Sequence, residues 1–141
     1  MKIAIGGDHA GYTLKQWLKE QLNGFQFVDV GPFSEDRVDY PDFAHKVAEM
    51  LINETDIDYG ILICGSANGV AMAANKHSNI RAAICWTEEI AKLAKTHNNA
   101  NIICIPARFV DKELALKMVK TYNIAEFAGG RHCDRVDKID I

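Results

Sequence analysis

The stretch Cys64-Gly65-Ser66-Ala67-Asn68-Gly69 puts a thiol, a hydroxyl and two glycines side by side, directly after the apolar run Tyr59 to Cys64. Small residues let a backbone approach an anion closely. A helix starting there would point unpaired N–H groups and partial positive charge at whatever fills the loop. Such a cradle suits an oxyanion. The same field favours thiolate over thiol at Cys64, which makes it a candidate base or nucleophile, with the Ser66 hydroxyl two residues on as a proton relay. A tight strand-to-helix turn around a buried cysteine accounts for the same residues, and the hexapeptide alone does not separate the two readings.

Other chemistry-bearing groups surround it in sequence. Asp8 and His9 follow two glycines, where an Asp can cap a helix beginning near Ala10 or, with the adjacent imidazole, contact a ligand. His97 and Asn98 lie together between two apolar segments. Arg131 and Arg135 are four apart, so a helix would set both guanidinium groups on one face: two fixed forks that suit a phosphate dianion, or a solvated charged surface. His45, within a helical pattern, and His77, near the end of one, read as structural. Cys85 and Cys104 end apolar runs and read as small buried hydrophobes.

The elements that must position these groups alternate. Apolar runs at Lys2–Gly6, Gln26–Val30, Tyr59–Cys64, Arg81–Cys85 and Asn101–Ile105 read as strands. Helical periodicity covers Tyr12–Leu22, Pro41–Ile52, Asn68–Lys76, Thr87–Thr96 and Lys112–Tyr122. Short continuous apolar strands alternating with amphipathic helices predict a three-layer αβα sandwich around a five-stranded parallel sheet, Rossmann-like in architecture. Pro41 fits a first helical turn, and Asn68 and Asp111 are expected N-caps. Gly31 to Tyr40 is the one longer loop, of the kind that borders a site or a subunit contact. Ligands in open parallel sheets bind beyond the carboxyl ends of the strands. Asp8, Cys64 and their loops belong there. His97 and Asn98 enter strand five and belong to the opposite edge, so joining the same site requires a neighbouring subunit or an unusual loop path, and the neighbour is the simpler expectation.

At 141 residues the chain is expected to be one domain, 1–141, and the formal charge of −3, from 16 Lys and Arg against 19 Asp and Glu, lacks the basic excess of nucleic-acid binding. Hydrophobic residues at 48% and charged residues at 25% fit a globular fold. No apolar run reaches membrane-spanning length and no export signal is visible, which gives the expectation of a soluble, cytoplasmic chain with no membrane partner. Four scattered cysteines without CxxC pairs offer neither a zinc site nor a disulfide framework.

Six ordered motifs, GGDHAG, DYPDFA, CGSANGVAMAANK, IRAA, HNNANI and GGRHCDRV, together resemble the ribose-5-phosphate isomerase B family over residues 2 to 138. Its broader group holds allose-6-phosphate and galactose-6-phosphate isomerases. The resemblance implies an aldose–ketose isomerase that needs no metal or other cofactor. It also implies a homodimer whose site is shared across the interface, some members pairing into tetramers. Carried over to this sequence, it makes Cys64 the base, Ser66 its assistant and His97 the ring-opening residue, and sets Asp8 and His9 at the sugar and phosphate. Tyr40 lines the pocket, Gly65, Ala67, Asn68 and Gly69 form the anion hole, Asn98 stands beside His97, and Arg108, Arg131 and Arg135 clamp phosphate. One branch carries a glutamate base just after the loop; here Val70 stands there, so the resemblance is to the cysteine branch. Ala67 departs from the usual glycine, and a positive φ there would cost roughly 1 kcal/mol or more.

Rival readings fit less well. A cysteine phosphatase needs an Arg six residues after its nucleophile, where Val70 stands. A dinucleotide-binding GxGxxG would not set Asp8 and His9 where the phosphate must approach. A non-catalytic sugar-phosphate sensor remains the alternative outside enzymes, and allose 6-phosphate or galactose 6-phosphate the alternative substrates.

Overall fold

The computed structural model describes residues 1–141. Its elements are β1 (Lys2–Gly7), α1 (Tyr12–Gln21), β2 (Gln26–Gly31), α2 (Tyr40–Asn53), β3 (Tyr59–Cys64), α3 (Asn68–Ala74), β4 (Ala82–Ile84), α4 (Glu88–Thr96), β5 (Ile102–Pro106), α5 (Lys112–Ile124) and α6 (Arg131–Asp137). The five strands form one parallel sheet in the order β2-β1-β3-β5-β4. No helix is long and apolar enough to cross a membrane.

Strand alternation divides the interior in two. Ile3, Ile5, Ile61, Ile63, Ile103 and Ile105 face α1, α4 and α5, where Leu18, Ala91, Ala94, Ala115, Met118 and Val119 meet them. Ala4, Leu62, Cys64, Ile102 and Cys104 face α2 and α3, against Ala44, Val47, Ala48, Val70, Ala71 and Ala74. The small residues on this second side let α2 and α3 lie close to the sheet and to each other. Both faces are covered, which is why the central strands read as unbroken apolar runs rather than alternating ones.

Helix starts follow the capping chemistry in part. The Asp111 side chain accepts the Leu114 N–H at 2.7 Å, as expected, and Pro41 sits in the first turn of α2. Two cap assignments need correction. Ala67, not Asn68, is the N-cap of α3. It adopts φ 64°, ψ −8°, Asn68 is already helical, and no side chain caps the turn. The left-handed residue itself redirects the chain, which removes the extended N-cap geometry an Asn needs. Asp8 caps no helix either: its Oδ1 accepts the N–H groups of Ala10 at 2.9 Å and Gly11 at 3.2 Å, closing the turn that precedes α1. The carboxyl-terminal stretch past Tyr122, where periodicity weakens, forms α6 and carries Arg131 and Arg135 on one short helix.

Candidate active site

The strand order reverses direction between β1 and β3, since β1 leads outward to β2 while β3 begins the other half. Loops leaving those two strands therefore diverge and leave a crevice at their carboxyl ends. Gly7 and Gly11 bring the walls of that crevice together. A β-carbon at either would fall 2.2 or 2.3 Å from the carbonyl oxygen of Ile63, closer than any real contact. With glycine at both, the Asp8 N–H reaches that same carbonyl at 3.1 Å, and Asp8, 8% exposed, is fixed beside the residue preceding Cys64.

Cys64 ends β3, opposite Pro106 in the register, with its side chain on the α2–α3 side near Ala67 and Val70 and 4% of its surface exposed. The neighbouring thiols differ from what a reactive cysteine needs. Burial pushes Cys85 up to about 12, and burial followed by Cys85 and Cys64 raises Cys104 far above its ordinary value, so both stay protonated at neutral pH. They are the apolar packing residues the sequence suggests.

Above Cys64 the loop is unusually poor in internal hydrogen bonds. The N–H groups of Gly65, Ser66, Ala67 and Gly69 have no acceptor within the chain, and that of Asn68 reaches only Ser66 Oγ, at 3.4 Å. Backbone donors left unmatched are ordinarily rare, and here they are consecutive. The Arg108 and Tyr40 side chains frame them, and His9 stands at the loop leading into Tyr40. Arg108 donates its N–H to the Gly65 carbonyl at 3.1 Å, and its guanidinium crosses over the same residue, within 3.2 Å of where a Gly65 β-carbon would stand. The Tyr40 ring lies so close to Gly69 that a β-carbon there would sit 2.3 Å from it. His9 Nδ1 accepts the N–H of Val38 at 3.3 Å, from the loop that leads into Tyr40.

The remaining sequence-selected residues gather at the other edge of the sheet. His97 ends α4 and is exposed, its N–H bound to the Leu93 carbonyl at 2.9 Å, with Asn98 next to it. The carboxyl-terminal segment comes back over this edge, the Ala128 N–H donating to the Thr96 carbonyl at 2.9 Å. It delivers α6, and with it His132, which stacks on His97. Arg135 Nη1 donates to the Arg131 carbonyl at 2.9 Å, and both arginines are exposed beside the two rings. His132 was not singled out from the sequence, although it stands inside the GGRHCDRV motif; a second imidazole between two arginines is the signal that would have found it. One chain thus holds two clusters: Asp8, His9, Tyr40, Cys64 to Gly69 and Arg108 at the carboxyl edge, and His97, Asn98, Arg131 and Arg135 at the amino edge. His45 Nδ1 and His77 Nε2 are 2.8 Å apart and bridge α2 to the turn after α3, away from both. No three His, Cys, Asp or Glu side chains converge closely enough to hold a metal ion.

A doubly covered parallel sheet with polar loops and unpaired amides at its switch point is an α/β small-molecule site built to hold an anion. The chain belongs to the Ribose/Galactose Isomerase family, which it matches over residues 3–139, a family of aldose–ketose isomerases. It is 46% identical to the probable ribose-5-phosphate isomerase B of Mycoplasma genitalium over 140 residues, covering 97% of this chain and 92% of that one. With the ribose-5-phosphate isomerase B of Escherichia coli it shares 40% identity, covering 98% of this chain and 93% of the relative. Among solved structures, a ribose 5-phosphate isomerase from Thermotoga maritima superposes with a TM-score of 0.96 at 45% identity, covering 99% and 97% of the two chains. The Mycoplasma genitalium ribose-5-phosphate isomerase B with bound ribulose-5-phosphate gives 0.93 at 46% identity, covering 98% and 93%.

Proposed function

We propose that this chain interconverts ribose 5-phosphate and ribulose 5-phosphate by the cysteine-base route, with residues 1–141 as one catalytic domain. The observation that carries this reading is the run of unpaired amides over Cys64, walled by Asp8 on one side and Arg108 on the other. Moving a carbonyl from C1 to C2 passes through a cis-enediolate, whose negative charge grows on oxygen as the C2 proton leaves. Cys64 Sγ takes that proton and returns it to C1. The amides of Gly65 to Gly69 meet the developing oxyanion, and preorganised donors of this kind are typically worth ~3 to 4 kcal/mol each. Ser66 carries the proton between O1 and O2. Burial of the sulfur among Ala67 and Val70 keeps water from the proton in transit.

Aldopentose phosphates rest mainly as rings, so a proton must reach ring oxygen O4 as the O1 hydroxyl loses one. In this reading His97 does that, and Asn98, Arg131 and Arg135 join it. Within one chain β5, five residues at about 3.3 Å each, separates that group from Cys64 by ~16 Å, more than a pentose phosphate spans. The site is therefore completed by His97 of the partner subunit, in a homodimer that can pair further into a tetramer. Asp8 orients sugar hydroxyls, Tyr40 walls the pocket, and His9 with Arg108 meets the phosphate together with the partner subunit's Arg131 and Arg135.

The test incubates the protein with ribose 5-phosphate, allose 6-phosphate and galactose 6-phosphate without added metal and follows ketose formation. Turnover of the pentose with loss in Cys64→Ala supports the reading. Preference for a hexose phosphate would move the substrate assignment within the family, and tight binding of all three without turnover would make the chain a sensor.

A further inference from the structure

Lys15 in α1 is wholly buried, and nothing in the reaction above uses it. Its ammonium donates to both carboxylate oxygens of Asp29, each at 2.7 Å, and to the Pro32 carbonyl at 2.8 Å. Three acceptors match the three protons of a charged lysine. Asp29, on β2, is equally committed: it also accepts from Lys19 Nζ at 2.8 Å and from the Gly31 N–H at 2.9 Å. Burial pulls Lys15 below its ordinary value, opposed by Asp29. Burial pushes Asp29 up, but the hydrogen bonds from Lys15, Lys19 and Gly31 reverse it and hold the carboxyl below the usual range. The Tyr12 and Phe33 rings flank the ammonium at 5.6 and 5.5 Å.

This pair clamps the first residue of the loop 32–39 to α1, and the loop is held twice more. Thr13 Oγ1 donates to Glu35 Oε1 at 2.8 Å, and the Val38 N–H donates to His9 Nδ1. An Nδ1 that accepts carries no proton there, which makes Nε2 the nitrogen that bears the proton and is free to donate to an anion.

We propose that Lys15 and Asp29 are positioning residues for His9: by anchoring the loop they hold the Val38 N–H on Nδ1 and so fix the Nε2–H tautomer that donates to the sugar phosphate. The proposal rests on His9 contacting substrate, as read above. A buried ion pair stabilises little compared with apolar residues of similar size; what this one adds is a fixed position for Pro32 and the loop behind it.

The variant Lys15→Met/Asp29→Val removes both buried charges together and leaves the partly exposed Lys19 to turn to solvent, and a wild-type circular dichroism spectrum checks that the fold persists. Long-range proton–nitrogen correlation spectra of histidine-labelled protein report the His9 tautomer without any substrate. The wild type is expected to show Nε2–H alone, and the variant a mixture, with KM for ribose 5-phosphate raised about ten-fold and kcat nearly unchanged. Val38→Pro, which deletes the donor while sparing the buried pair, should do the same. A single Nε2–H tautomer and unchanged KM in the double variant would overturn the anchor. An unchanged KM in His9→Ala would instead overturn the substrate contact, a failure told apart because the spectra need no substrate.

Discussion

The imidazole of His97 lies parallel to that of His132, with ring centroids 4.2 Å apart and 17° between the planes. That contact, and the two guanidinium groups on the same helix, disfavour a proton on His132. Partial burial first, then His97, Arg131 and Arg135, hold His132 below its ordinary value.

A histidine held low binds fewer protons folded than unfolded. Stability therefore falls as pH drops from about 6.5 toward the folded value and is unaffected above it. His132→Phe keeps a flat ring on His97 but removes the titration, so its melting temperature should decline less on that acid limb. Thermal melts across a pH series check this, and superimposable profiles would count against it.

Cys64→Ala should lower kcat for ribose 5-phosphate by at least about 10²-fold, the usual contribution of a positioned base. Circular dichroism should be unchanged, since the residue is small and its neighbours on α3 are alanines and a valine. Substantial residual turnover would shift the base to another group, such as the Asp8 carboxylate at the end of the adjoining strand.

Arg108→Ala should raise KM and cut kcat/KM by about 10- to 100-fold, the loss expected for a charge-assisted hydrogen bond to phosphate. Inorganic phosphate as a competitive inhibitor should weaken in parallel. An inhibitor constant that does not move would place the phosphate elsewhere.

Asp29→Asn leaves Lys15 buried with a weakened partner and should cost about 3 kcal/mol. Because the Asp29 carboxyl is held below its ordinary value, its contribution is fully present above about pH 4 and disappears as pH falls further. Denaturant titrations at neutral pH and near pH 3 should show the wild type and variant converging in acid; a constant difference would contradict the linkage.

Ala67→Gly sets opposing effects against each other. Relief of the left-handed backbone gains about 1 to 2 kcal/mol. Loss of a buried methyl costs about 0.8 and the greater freedom of unfolded glycine about 0.5 to 1. Chemical denaturation should find the variant within about 1 kcal/mol of the wild type, which accounts for how alanine is tolerated at φ 64°.

The parts legible in the sequence are those written in local pattern. β3 runs from Tyr59 to Cys64 as its apolar stretch predicts, and the parallel αβα architecture follows from alternation of short apolar and longer amphipathic segments. The separation of His97 from Cys64 also follows, from where each falls relative to its strand. What escaped depends on contacts distant in sequence. Lys15 looks like any solvated helix lysine until Asp29 and Pro32, from another element, close over it; the acid inside the apolar run QFVDVG is the one local trace. The capping role assigned to Asn68 fails because Ala67 takes a backbone conformation that composition argues against.

Because the Ile63 carbonyl already occupies the space a side chain would need at Gly7 and Gly11, the spacing between the turn after β1 and the end of β3 admits no fine adjustment. Any larger residue at those positions displaces the turn outright instead of widening it by degrees. In the proposed reaction, the length of sugar admitted is thereby left to the 32–39 segment, while the turn beside Cys64 stays fixed.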